Sequence, residues 1–118
     1  MKNVIKQRCY IAIDKEGTKR YYVNKVLHRE EGPAIEWSDG TKYWYKNGHL
    51  HREDGPAVET ASGSKYWFKN GQCHREDGPA IYYPNKYKEW WLNGKNYGYS
   101  KKFTSKSWKI FVKTLIFS

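Results

Sequence analysis

Across 118 residues the chain has two Cys, one Met and four Pro, and no apolar run near membrane-spanning length. Cys9 and Cys73 lie far apart with no partner motif, which excludes a disulfide framework and leaves two free thiols in a reducing cytosol as the expectation. Met1-Lys2-Asn3-Val4-Ile5-Lys6 lacks the apolar core of a signal peptide, so a cytoplasmic location is expected. There is no Gly-rich phosphate loop, no Cys/His metal spacing and no recognisable Ser-His-Asp arrangement. No cofactor and no metal are expected. Charge of one sign is scarce in one region only. Residues 86–118 carry eight Lys against the single Glu89, whereas residues 17–85 are nearly neutral.

Aromatics, by contrast, are plentiful: six Trp, eleven Tyr and four Phe. A chain this short has room for one domain, and a thin sheet must draw its stability from dense aromatic packing. The segment His-Arg-Glu-(Asp/Glu)-Gly-Pro-Ala starts at His28, His51 and His74, at equal intervals. Lys42-Tyr43-Trp44-Tyr45-Lys46-Asn47-Gly48 recurs as Lys65-Tyr66-Trp67-Phe68-Lys69-Asn70-Gly71. A fixed short period means a repeat array whose units bury their apolar side chains against neighbours.

Asn47-Gly48 between aromatic and aliphatic runs predicts a tight hairpin, because a type I′ turn needs two residues at positive φ. Asp39-Gly40 and Ser62-Gly63 mark further turns, and Asp54-Gly55-Pro56 marks a corner. The expected fold is mainly β: an elongated antiparallel meander of hairpin units, with about nine to eleven strands and a short C-terminal helix. The units run 17–39, 40–62, 63–85 and a decayed 86–97, preceded by an N-terminal strand cap over 1–16. A basic amphipathic segment follows over 98–118. Its Trp108, Phe111, Val112 and Leu115 have helical spacing, with Thr104 or Ser105 as N-cap, although the β-branched residues leave a terminal strand open.

Two-residue turns at both Asn47-Gly48 and Asp39-Gly40 would place Ile35, Trp44 and His51 in one row, and Glu36, Tyr43 and Arg52 in the row behind it. The aliphatic–Trp–His face would then be the buried one. It is too long for one helix to cover, so a homodimer, or a partner on that face, is expected.

The Tyr-x-(Tyr/Phe)-Lys-Asn-Gly turn followed by His-Arg and Gly-Pro-Ala resembles MORN-repeat proteins, especially the YwqK-like variants with the His-Arg-Glu-Asp-Gly-Pro-Ala signature found in phage, bacterial and giant-virus genomes. The resemblance covers about residues 17–97. MORN units have a Gly soon after the hairpin where this chain has Arg52-Glu53-Asp54-Gly55, so the inner groove is expected to differ. The resemblance implies an elongated sheet used for binding, not catalysis. Protein docking, scaffolding or membrane-surface contact would be its role, the last less favoured. A phage origin would imply an accessory protein that neutralises a host factor.

The His-Arg-Glu-Asp clusters invite an acid–base or metal reading, but successive His residues are two strands apart, roughly 10 Å, too far to share a metal. A trait present in every copy answers a need of every copy. Arg and Glu are therefore expected to tie down the corner, while His packs on Trp and hydrogen-bonds a backbone group. If the face does bind, Tyr43, Tyr66, Trp44 and Trp67 could stack on a ligand beside Arg29, Arg52, Arg75, His51 and His74. The other candidates are Lys101, Lys102, Lys106 and Lys109 of the basic segment. The function expected is a non-enzymatic binding protein for an anionic ligand, nucleotide or nucleic acid, or for an acidic protein. A hydrolase or nuclease using the His/Glu clusters is the less favoured alternative.

Overall fold

A computed structural model describes residues 8–116. The chain is a flat slab of 49 × 43 × 18 Å with a radius of gyration of 16.9 Å, where a compact chain of 100 residues would give about 13 Å. Its strands are β1 (Cys9–Ile13), β2 (Lys19–Val23), β3 (Val26–Leu27), β4 (Ile35–Glu36), β5 (Lys42–Tyr43), β6 (Tyr45–Lys46) and β7 (His49–Leu50). They continue as β8 (Val58–Glu59), β9 (Lys65–Tyr66), β10 (Phe68–Lys69), β11 (Gln72–Cys73), β12 (Ile81–Tyr82), β13 (Lys88–Leu92) and β14 (Lys95–Tyr99). A 3₁₀ turn (Ser100–Lys102) and helix α1 (Ser105–Ile116) follow. The main sheet is antiparallel with ten strands, in the order β1-β2-β4-β5-β8-β9-β12-β13-β14 with β3 beside β2. The ribbons β6–β7 and β10–β11 carry the Asn-Gly turns. The meander, the repeats and the C-terminal helix are as the sequence led us to expect.

The Asn-Gly turns keep the expected two-residue register: Tyr45 faces Leu50, and Lys46 faces His49. The other turn does not. Trp37 N–H donates to Thr41 O, and Gly40 sits at φ +95° as the last of a three-residue loop, the geometry of a type I turn closed by a left-handed residue. Thr60–Ser64 and Tyr83–Tyr87 close in the same way. One extra loop residue shifts the register by one and exchanges the faces. Ile35 pairs with Tyr43, not Trp44, and Glu36 pairs with Lys42, not Tyr43.

Two faces result. One, the Tyr face, carries Ile35, Tyr43, Val58, Tyr66, Ile81 and Glu89 in a single cross-strand row. The other, the Trp face, carries Trp44, Trp67 and Trp90, with a charged row beside them. A contiguous aliphatic–Trp–His face does not exist, and the expectation of a homodimer no longer follows from it.

The one cluster of buried apolar side chains is at the C-terminal end, among the described residues: Trp90, Leu92, Trp108 and Val112, with Tyr97, Phe103 and Phe111 against them. Helix α1 starts as its sequence dictates. Thr104 Oγ1 accepts the Ser107 N–H at 3.0 Å while Ser107 Oγ accepts the Thr104 N–H at 2.9 Å, a reciprocal cap.

Candidate functional site

Each residue of the His-Arg-Glu-Asp-Gly-Pro-Ala corner has a structural task. The Arg guanidinium lies flat over the aromatic ring of its own unit: Arg29 over Tyr21 at 3.8 Å, Arg52 over Trp44 at 3.8 Å, Arg75 over Trp67 at 3.9 Å. From there Nη1 donates to the carbonyl of Pro33, Pro56 or Pro79 at 3.1 Å. The motif glycine leaves room for that guanidinium; a Cβ at Gly78 would stand 2.7 Å from Arg75 Cζ. Ala34, Ala57 and Ala80 are fully buried, and Ala57 and Ala80 accept the N–H groups of Trp44 and Trp67. Pro56 lies in the corner, as its missing N–H requires.

The histidines join units together. Nδ1 of His28, His51 and His74 accepts the backbone N–H of Asn47, Asn70 and Asn93 in the next unit, each at 2.9 Å. Nε2 therefore carries the proton and donates to a carboxylate two residues on, at 2.7 Å for Glu30 and Glu53 and 3.5 Å for Glu76. That bond, first, holds the Glu30 and Glu53 carboxyls below their usual range. The expected backbone hydrogen bond of His is present, but Arg, not His, covers the Trp ring.

The candidate residues thus divide. Arg29, Arg52, Arg75, Trp44 and Trp67 share the Trp face and bind one another. Tyr43 and Tyr66 lie on the Tyr face; they do not join Arg52 and Arg75 in a stripe, because the three-residue loop inverts them. On that face Tyr66, Tyr83, Tyr87 and Tyr99 form a ring-to-ring chain at 5.8, 5.6 and 6.2 Å. His51 and His74 are half-buried with both ring nitrogens occupied. Lys101, Lys102, Lys106 and Lys109 are all exposed on the 3₁₀ turn and α1.

Sequence reasoning passed over Lys113, also exposed, which lies on the same side of α1 as Lys106 and Lys109 at helical spacing. Among the described residues none of these five lysines has an ion pair. Glu89, the only acid of residues 86–118, does not neutralise them. It points to the Tyr face and accepts from Tyr87 Oη, Trp91 Nε1 and Asn96 Nδ2. Flanking the lysines of α1, Ile110 and Ile116 are 58% and 60% exposed.

Clefts of about 580 and 570 Å³ recur beside the successive corners, and a larger one of about 730 Å³ lies against β1 and the first corner. Among the described residues no group of three or more His, Cys, Asp or Glu side chains is placed to hold a metal ion. Both cysteines are free, and burial, followed by the charge of Glu89, pushes the Cys73 thiol up to about 12. No described helix is long and apolar enough to cross a membrane. Family models, curated proteins and solved structures were all compared with the chain, and none matches it.

Proposed function

We propose that this chain is a non-enzymatic docking module of MORN-like build that binds an acidic protein surface through its cationic C-terminal cap. The observation that carries this reading is the contrast in how cations are held. The arginines of the repeats are engaged by their own units, whereas Lys101, Lys102, Lys106, Lys109 and Lys113 are exposed and unpaired among the described residues. Ile110 and Ile116 beside them offer apolar contact, which suits a protein surface with an acidic rim better than a phosphate backbone alone. The His/Glu pairs support the non-enzymatic reading, since each His ring is committed to backbone and carboxylate in every copy.

The test is recovery of a partner from the native host with the intact chain and with a Lys106→Glu, Lys109→Glu, Lys113→Glu variant, followed by titration of the purified partner. The charge reversal should abolish binding while the fold persists, and wild-type affinity should fall as salt rises. Equal affinity of both proteins for the partner would overturn the proposal.

A further inference from the structure

On the Trp face, beside the tryptophans, a charged row runs in register across seven strands: Lys19, Glu36, Lys42, Glu59, Lys65, Tyr82, Lys88. In the first two units a glutamate bonds the corner arginine and has a lysine on either side of it in register. Glu36 is flanked in register by Lys19 and Lys42 and accepts from Arg29 Nη1 at 3.2 Å. Glu59 is flanked by Lys42 and Lys65 and accepts from Arg52 Nη1 at 3.3 Å. The third unit keeps the cations and loses the anion. Tyr82 stands at the equivalent position, flanked by Lys65 and Lys88.

Arg75 is seated as its counterparts are, over Trp67 and on the Pro79 carbonyl, but among the described residues its Nη1 has no carboxylate to meet. Asp77 does not replace that carboxylate. It bonds Nε, on another edge of the guanidinium, and its side chain is 72% exposed. Glu89 is on the opposite face. The position that twice holds a built-in carboxylate here holds a tyrosine between two lysines.

We propose that Lys65, Lys88 and Arg75, grouped around Tyr82, bind a ligand bearing a phosphate monoester. Two ammonium groups and a guanidinium edge match a dianion better than a single carboxylate. The Tyr82 hydroxyl, which makes no hydrogen bond among the described residues, supplies a further donor, and its half-buried ring supplies a surface for the ligand's body. The site is independent of docking by the cap, which uses other lysines.

The decisive variant restores the pattern of the first two units. Tyr82→Glu should fold at least as stably as wild type and weaken binding by about tenfold or more, because the cradle then contains its own anion. The converse, Glu59→Tyr, should add a second equivalent of binding. The probes are adenosine monophosphate, O-phosphotyrosine and inorganic phosphate, titrated into the full chain by calorimetry, with chemical shifts of the backbone around residue 82 as a local readout. Inorganic phosphate binding as tightly as the esters assigns recognition to the phosphate alone; tighter binding of either ester shows that Tyr82 also holds the attached group. The Lys106→Glu, Lys109→Glu, Lys113→Glu variant should bind the probes within about twofold of wild type, since those charges are exposed and screened. No binding of any probe at millimolar concentration, or undiminished binding by Tyr82→Glu, would overturn the proposal.

Discussion

Trp44 and Trp67 in the inner units and Trp90 in the last occupy equivalent positions, yet they are covered by different chemistry. In the inner units an Arg from the corner lies over the ring and is held by a proline carbonyl. The fourth unit has lost that corner: Gly98 stands where the Arg would be, and Tyr97 where the His would be. Its ring is covered by Trp108 of α1 at 5.5 Å and by Phe103 at 5.7 Å. Trp108 Nε1 then donates to the Arg75 carbonyl, binding the helix to the last intact corner. The helix thus fills the place of a missing repeat. Trp90 is 1% exposed, whereas Trp44 and Trp67 remain partly exposed, so an aromatic cover excludes water more fully than a guanidinium.

The comparison can be broken first at its strongest point. Trp108→Ala removes a fully buried side chain from the C-terminal apolar cluster and also strips Trp90 of one of its two aromatic covers. A loss of about 3–5 kcal/mol is expected, measured by denaturant unfolding, with the fluorescence of Trp90 shifting to the red. A loss below about 1 kcal/mol would mean that the array ends without help from the helix.

The inner cover should cost less to remove. Arg52→Met keeps the bulk but deletes a cation–π contact, the bond to Pro56 and the bond to Glu59, for an expected loss of about 1–3 kcal/mol. Arg52→Lys should recover little of this, because an ammonium cannot lie flat on indole while its other edge donates to a carbonyl. Full recovery by Lys would show that charge, not the planar group, is what the corner needs.

The sequence made the array, its period, the Asn-Gly hairpins and the helix legible because each has a local cause: a repeated motif, two residues at positive φ, an i/i+3/i+4 stripe. It also made the tasks of His and Arg legible in outline, since three copies argue for a structural role. The faces were not legible. They depend on whether the loop at Asp39-Gly40 has two residues or three, and Gly40 at positive φ is compatible with both. That single count decided whether Trp44 or Tyr43 lies beside Ile35. The cradle at Tyr82 depends on the same register and could not be seen before it was fixed. Lys113 was legible in the sequence too, off the apolar stripe of the expected helix with Lys106 and Lys109, and was left out of the candidates without a physical reason.

The other end of the array offers a smaller test. Asn24-Lys25 replaces the Asn-Gly of the inner turns, and Lys25 is held at φ +65° where Gly48 and Gly71 sit at +80°. A left-handed conformation costs a non-glycine residue about 1–2 kcal/mol, offset in part by the greater entropy that glycine loses on folding. Lys25→Gly should therefore stabilise the protein by about 0.5–1 kcal/mol. The measurement is the melting temperature against wild type. A fall would mean that the Lys25 side chain contributes more at this end than its backbone costs.

The smallest effect separates the first two units, which have a close His–Glu pair, from the fourth, which has none. Glu30 and Glu53 are held below the ordinary value of 4.5, first by the hydrogen bond from His28 or His51. A carboxyl lowered in the folded state binds fewer protons than in the unfolded chain. Its stabilising contribution is complete above 4.5 and disappears as pH falls through the lower folded value. Both groups are exposed, so water screens the effect and only a slope is expected. A Glu30→Gln, Glu53→Gln variant should match wild type most poorly near neutral pH and converge with it as pH falls below 4.5. Melting temperatures across that range decide the matter. Two parallel curves would show that the His ring is oriented by its bond to the Asn backbone alone, with the carboxylate adding nothing.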